Sequence, residues 1–347
     1  MQVCPSRRAS ILASLSMLAW PLARAQRPAR LALPGTAGAQ PARKLYRIGI
    51  LNNAAASADA VGPQPRSPSV SALLRGLRDL GYMYGEHFVT EPRGSEGRPE
   101  RFPGLAAELV GLQPDVIVAT GGSLRALKQA TSTIPIVMAA ASDPVGSGYV
   151  QSLAHPGGNI TGMSLQSIET TGKRLELLNE LVPGSAPTAV LWDRASSLAY
   201  WQAADTAARA RRWKLLSLEI RDVGELEEAF KTATAAGARS ILVSAASIVF
   251  PRARQLAELA ARSRLPAIYE LRPYVEAGGL ISYGADIDNI WRQAATYVDK
   301  LLKGAKPANL PIEQPTKFEL VINMKTAKTL GLKIPQSLLL RADEVVE

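Results

Sequence analysis

Four short stretches of this chain place hydroxyls, acids and backbone amides where a charged small molecule could be held. IVATGGSLRAL (117–127) runs from an apolar strand into Gly121, Gly122 and Ser123 and then into a helix pattern. Backbone N–H groups and a hydroxyl at the positive end of a helix attract an anion, either a phosphate or a carboxylate. The same layout suits a tight strand-to-helix turn with Ser123 near the N-cap. ASDPVGSG (141–148) sets Ala141, Ser142 and Asp143 directly after another apolar run. Asp143 fits an N-cap and Pro144 the first turn of a following helix, and a cap at a cleft edge also offers donors to a ligand carboxylate. In the second half, Trp192 and Asp193 end one strand, and Tyr269 and Glu270 end another. Trp192 reads as core or as cleft wall, and Glu270 as the partner of a ligand ammonium or of Arg272.

Several chemistries lack their fingerprints. A dinucleotide fold wants G-x-G-x-x-G after the first strand, and here that place holds NNAAASADAVG; no stretch supplies the Walker spacing. The two histidines, His87 and His155, are far apart, and the single cysteine is Cys4, so neither a metal nor a cofactor is expected. No G-x-S-x-G elbow accompanies His155, which leaves catalysis without an evident base. A non-enzymatic role is therefore expected, with an exported enzyme as the competing class.

The elements that must position these groups follow one rhythm. Apolar runs at YRIGIL (46–51), HFVTEPR (87–93), DVIVAT (115–120) and IPIVMAA (134–140) alternate with helix-period segments at 69–82, 101–112 and 122–131. After HPGGN (155–159) the rhythm restarts: helix 172–182, strand 188–193, helix 198–211, strand 213–220, helix 225–237, strand 238–245, helix 251–263 and strand 265–270. This is the α/β pattern of parallel sheets flanked by helices, repeated as two lobes. Ligands of such sheets gather outside the carboxyl ends of the strands. A helix to Leu302, a Pro-rich crossover and a last strand-helix pair, FELVINM and KTAKTLGL, complete the chain. The expected division is 46–160 with roughly 285–312 in the first lobe, and 161–284 with roughly 313–347 in the second.

The 347 residues are 47% apolar and 20% charged, which fits a globular chain. The first 25 residues carry Arg7 and Arg8, an apolar run from Ile11 to Leu22, and small residues at Ala23 and Ala25, the layout of an export signal. The arginine pair leaves both general and twin-arginine export open. Cleavage after Ala25 removes three arginines and no acid, taking the formal charge from +10 to +7. Residues 26–44, rich in Pro, Ala, Gly and Arg, read as a tether. The basic charge is scattered, so no nucleic-acid partner is expected.

RGLRDLGYMYGEHF (75–88), DVIVATGGSLRALKQAT (115–131), IPIVMAAASDPVGSGYVQSLAHPGGNITGMS (134–164), AGGLISYG (277–284) and the tail from Leu310 to Glu347 resemble the ABC-transporter substrate-binding protein family that includes tryptophan-binding proteins. The resemblance implies a type I periplasmic-binding-protein fold, with two Rossmann-like lobes closing on a ligand. It also implies an ABC permease as partner, a monomeric periplasmic form with no lipid anchor, and an amino acid or similar carboxylate as ligand. Trp192 points to an aromatic one. Gly121, Gly122 and Ser123, then Ala141, Ser142 and Asp143, would seat the ligand carboxylate. Glu270 would hold the ammonium, and Asn52, Asn53, Trp192, Ser244 and Tyr283 would set side-chain selectivity. A periplasmic sensing subunit for a membrane receptor would use the same fold.

Overall fold

The computed structural model describes residues 44–53, 56–245 and 248–347. The expected signal (1–25) and all but the last residue of the tether (26–44) lie outside the described residues. The first half builds β1 (Tyr46–Asn52), α1 (Pro68–Asp79), β2 (Phe88–Gly94), α2 (Phe102–Gly111), β3 (Val116–Thr120), α3 (Gly121–Ala130), β4 (Ile136–Ala141) and β5 (Ile160–Ser164). The second continues with α4 (Thr171–Leu181), β6 (Thr188–Asp193), α5 (Arg194–Arg211), β7 (Leu215–Ile220), α6 (Leu226–Ala235), β8 (Ser240–Val243), α7 (Ala253–Arg262), β9 (Ala267–Tyr269), α8 (Arg272–Glu276) and β10 (Ile281–Ala285). Then come α9 (Ile287–Leu302), β11 (Phe318–Asn323), α10 (Met324–Thr329), α11 (Gln336–Leu339) and β12 (Glu344–Val346).

Two sheets result, ordered β2-β1-β3-β4-β5 and β12-β11-β10-β9-β8-β6-β7. Every pairing in the first is parallel. Its central strands are apolar throughout because helices cover both faces, which forbids the alternation of a half-wet sheet. In the second sheet the β10–β11 pair is antiparallel, a direction that apolar periodicity does not encode.

Three strands escape the apolar-run criterion, the short β12 at the edge of the second sheet among them. ITGMS becomes β5 beside β4, although Gly162 sits at φ +130°. A Cβ there would lie 2.3 Å from the Met138 carbonyl oxygen, so only glycine allows that approach. ISYGA, with a serine, a tyrosine and a glycine, forms β10 between β9 and β11.

The chain passes between the sheets three times: at 165–170 between β5 and α4, at Asp286 between β10 and α9, and at 303–317 between α9 and β11. The third passage runs beside β5, which leads into the first, since the Ser164 N–H donates to the Glu313 carbonyl (2.9 Å) and the Glu313 N–H to that of Gly162 (3.0 Å). Although it follows β10 in sequence, α9 packs against α1 and the first sheet. Val70, Leu73, Leu74 and Leu77 put one apolar face of α1 toward it, at the i, i+3, i+4, i+7 spacing. Asp286 caps α9 by accepting from the Asn289 N–H at 3.0 Å.

Gly76 is the point of closest approach between these helices: a Cβ there would lie 2.3 Å from the Arg292 carbonyl oxygen and 2.8 Å from the Ala295 Cβ. Gly76→Ala should therefore destabilise the fold by about 1–3 kcal/mol through overpacking and lower Tm by a few degrees in thermal unfolding. An unchanged Tm would show that α1 and α9 do not meet this closely.

Candidate functional site

A cavity of about 1280 Å³ is lined from the first sheet by residues at the carboxyl ends of β1, β3 and β4, and from the second by those of β6, β8 and β9. On the first side the wall includes Asn52 and Asn53 after β1, Gly121 and Gly122 at the start of α3, and Ala141, Ser142 and Asp143 after β4. On the other, Asp193, Ser244 and Glu270 line it.

The amino end of α3 opens at this wall. Thr120 is its N-cap residue, and no side chain caps the helix. Amides of the first turn have no partner within a helix. Arg125, one turn along, also lines the cavity and adds a positive charge to the helix end. Ser123 lies behind this surface, not on it. It is fully buried, and its hydroxyl donates to the Thr120 carbonyl (2.9 Å) and the Leu51 carbonyl (3.3 Å), pinning α3 to the end of β1.

Asp143 does not cap a helix. Residues 144–148 form turns, and Asp143 Oδ1 accepts from the Gly146 N–H at 2.8 Å, so its carboxylate organises the loop that presents Ser142. Asn53 is likewise held, accepting the Ser95 hydroxyl at its carbonyl (3.0 Å) and at Oδ1 (3.2 Å). Two other residues expected here belong to the interior of the second lobe. Trp192 donates from its indole N–H to Ser217 Oγ (2.8 Å) and stacks on Trp201 at 5.9 Å. Tyr283 stacks on Phe318 at 6.0 Å. Neither lines the cavity, nor do His87 and His155.

Glu270 and Asp193 are the two buried acids among the lining residues, and Glu270 is the more deeply buried, with 2% of its surface exposed. Its carboxylate accepts the Ser167 hydroxyl at Oε1 and the Ala245 N–H at Oε2 (3.1 Å), and Arg174 Nη2 lies 3.8 Å away. Arg272, the surface partner weighed for it, bonds instead to Glu276 (2.7 Å) and Glu344 (2.6 Å). Burial pushes the Glu270 carboxyl pKa up, while Arg174 and the Ala245 amide oppose the rise.

Arg174, Ser167 and Tyr200 complete this corner, and sequence reading passes over all three. Tyr200 is buried, lines the cavity and lies with its ring centroid 5.8 Å from the Arg174 guanidinium. The signal for Arg174 is its place on a helical stripe, 174, 177, 178 and 181, whose other members are leucines. A charge on an apolar face has to be paired inside the protein. Among the described residues no group of three His, Cys, Asp or Glu is placed to hold a metal ion, and no helix is long and apolar enough to cross a membrane.

The raised pKa has a signed consequence for stability. Below the ordinary value of 4.5 Glu270 is protonated whether folded or not. As pH rises through 4.5 and then through the raised folded value, the unfolded chain ionises first, and Glu270 progressively costs the fold stability. The unfolding free energy of Glu270→Gln minus that of the wild type should therefore increase with pH across that window in urea titrations. A flat difference would contradict the shift.

Comparisons with known proteins identify the family and the fold. A curated relative from Clostridioides difficile (strain R20291), called tyrosine-binding protein, is 25% identical over 264 residues, covering 75% of this chain and 75% of its own. A conserved domain protein from Vibrio cholerae superposes with a TM-score of 0.80 at 27% identity, covering 87% of this chain and 100% of the other. An ABC domain from Streptococcus pneumonia, solved with L-Trp, gives a TM-score of 0.78 at 24% identity with the same coverage. The fold is that of the periplasmic binding proteins. Since the family model for ABC transporter substrate binding proteins matches residues 61–346, nearly all of the described chain, this protein belongs to that family.

Proposed function

We propose that this protein is the periplasmic receptor of an ABC importer, that it holds a free aromatic amino acid between its lobes without converting it, and that it delivers it as a monomer to an inner-membrane permease. The export signal would be removed near Ala25. The observation that carries the reading is the pairing of opposite polarities across one cavity. The uncapped amino end of α3 with Arg125 lies on one wall, and the buried Glu270 carboxylate on the other. An α-amino acid carries a carboxylate and an ammonium on one carbon, one group for each wall.

The carboxylate seat comprises Gly121, Gly122 and Ser142, with Ser123 holding it from behind and Asp143 shaping the loop at its edge. Asn52, Asn53 and Ser244 border the side-chain space. Its aromatic character comes from Phe102, Tyr149, Tyr200, Phe250 and Trp291, which line the cavity, in place of Trp192. The relative named for tyrosine and the fold neighbour solved with L-Trp support the same ligand class. A ligand touching both lobes favours the closed arrangement by its differential contacts, and a permease can read that state.

A thermal-shift screen of the L-amino acids should show L-tyrosine or L-tryptophan raising Tm; saturation at about a hundred times Kd adds about 2.7 kcal/mol to stability. Ser142→Ala combined with Arg125→Gln should weaken L-tyrosine binding at least about tenfold in calorimetry. The same pair should leave tyramine, which lacks the carboxylate, unaffected. Wild-type protein that binds tyrosine and tyramine equally would sink the carboxylate seat.

A further inference from the structure

Arg174 is fully buried, and each nitrogen of its guanidinium has a partner. Nε donates to the Tyr283 carbonyl (2.7 Å), Nη1 to the Ser167 carbonyl (3.0 Å) and Nη2 to the Thr170 hydroxyl (2.8 Å). Nη2 also lies 3.8 Å from Glu270 Oε1. These partners come from separate parts of the molecule. Ser167 and Thr170 belong to the first passage between the sheets, and Tyr283 lies in β10, just before the second. Glu270 is the cavity wall at the end of β9.

A buried guanidinium is not needed for packing, because an apolar side chain of similar volume is often as stabilising in such a place. What an apolar residue could not do is fix a carboxylate. The Ser167 hydroxyl reaches Glu270 from the passage that Arg174 itself ties down, and the Ala245 amide reaches it from the loop after β8.

We propose that Arg174 is the positioning residue for ligand recognition: it ties the first passage, the end of β10 and Glu270 into one unit that opposes protonation of the carboxylate and orients it for the ligand ammonium. This rests on the reading of Glu270 given under Proposed function. The titratable groups facing Glu270 are Arg174 from α4, Tyr200 from α5 and Tyr274 from α8. Burial raises both tyrosines far above neutrality, so Arg174 is the cation that opposes protonation of Glu270. Without it Glu270 takes up its proton at higher pH, and ammonium binding is lost there.

The test is calorimetry with L-tyrosine and with its des-amino analogue, 3-(4-hydroxyphenyl)propionate, from about pH 5 to about pH 9. Arg174→Gln should weaken L-tyrosine at least about tenfold at neutral pH and move the acid limb of its affinity to higher pH. The analogue's affinity should stay within about threefold of wild type, because it presents no ammonium. Arg174→Lys should return the limb toward its wild-type position. Should Arg174→Gln fail to fold, Ser167→Ala, which removes one bond to Glu270 and no charge, should still weaken L-tyrosine more than the analogue. Equal losses for both compounds, or an acid limb that does not move, would overturn the positioning role. Glu270→Gln separates the two readings. If it leaves L-tyrosine affinity unchanged, or if wild-type protein does not prefer L-tyrosine over the analogue, the ammonium reading fails and the inference with it. If Glu270→Gln abolishes that preference while Arg174→Gln keeps it, only the inference fails.

Discussion

Taking a carboxylate out of water is tolerable only where other dipoles and charges replace the hydration it gives up, and Glu270 is buried at the end of β9 under that condition. A backbone amide from the loop after β8, a hydroxyl from the first passage between the sheets and a guanidinium from α4 supply the replacement. Each comes from a different element, so the cost of burying the acid is offset only when strand ends, passage and helix are all in place. Much of the architecture around the cavity follows from that demand. The order β10-β9-β8 brings Ala245 beside Glu270 and the Tyr283 carbonyl within reach of Arg174.

The opposite wall meets a simpler requirement by other means. A negative ligand group needs donors that do not have to be charged, and the start of a helix provides them for nothing more than a sharp strand-to-helix turn. Thr120 leads straight into Gly121 with no capping side chain, and Ser123 fastens the turn to β1 from the interior side. Asp143 works in the same indirect way. It lines the cavity, and its carboxylate holds the Gly146 amide and so shapes the loop. One wall thus depends on main chain and the other on a supported side chain.

How much of this could be read from residues alone divides along the same line. Strands buried on both faces announce themselves as apolar runs, and β1, β3, β4 and β6 did so; the amphipathic stripe of α1 was equally plain. The strand-end rule then located the cavity wall at Gly121, Ser142, Ser244 and Glu270. What periodicity could not supply was direction and partnership. Trp192 ends a strand beside charges, yet its ring belongs to a stack with Trp201 on the covered face, and strand position does not say which face. Ser123 has the right type and place for a ligand contact, but a serine in the first turn can also bond backward to a carbonyl. Arg174 was legible in principle, as a charge on a leucine stripe. Its partners, one of them 109 positions away along the chain, were not.

Under the proposed reading of an amino-acid ligand, the two walls would also favour a closed arrangement. An ammonium at Glu270 relieves part of the electrostatic penalty of a buried carboxylate, because it adds a second cation to a group whose pKa burial alone has raised. That relief is available only when the ligand's other end is also satisfied at α3, since a free amine held by one wall keeps its water on the far side. The stabilisation is therefore contingent on both lobes meeting the same molecule, and the open arrangement forgoes it. On that reading, selectivity for a zwitterion and preference for the closed state would have one origin, the buried carboxyl group whose burial the ligand ammonium would help to offset.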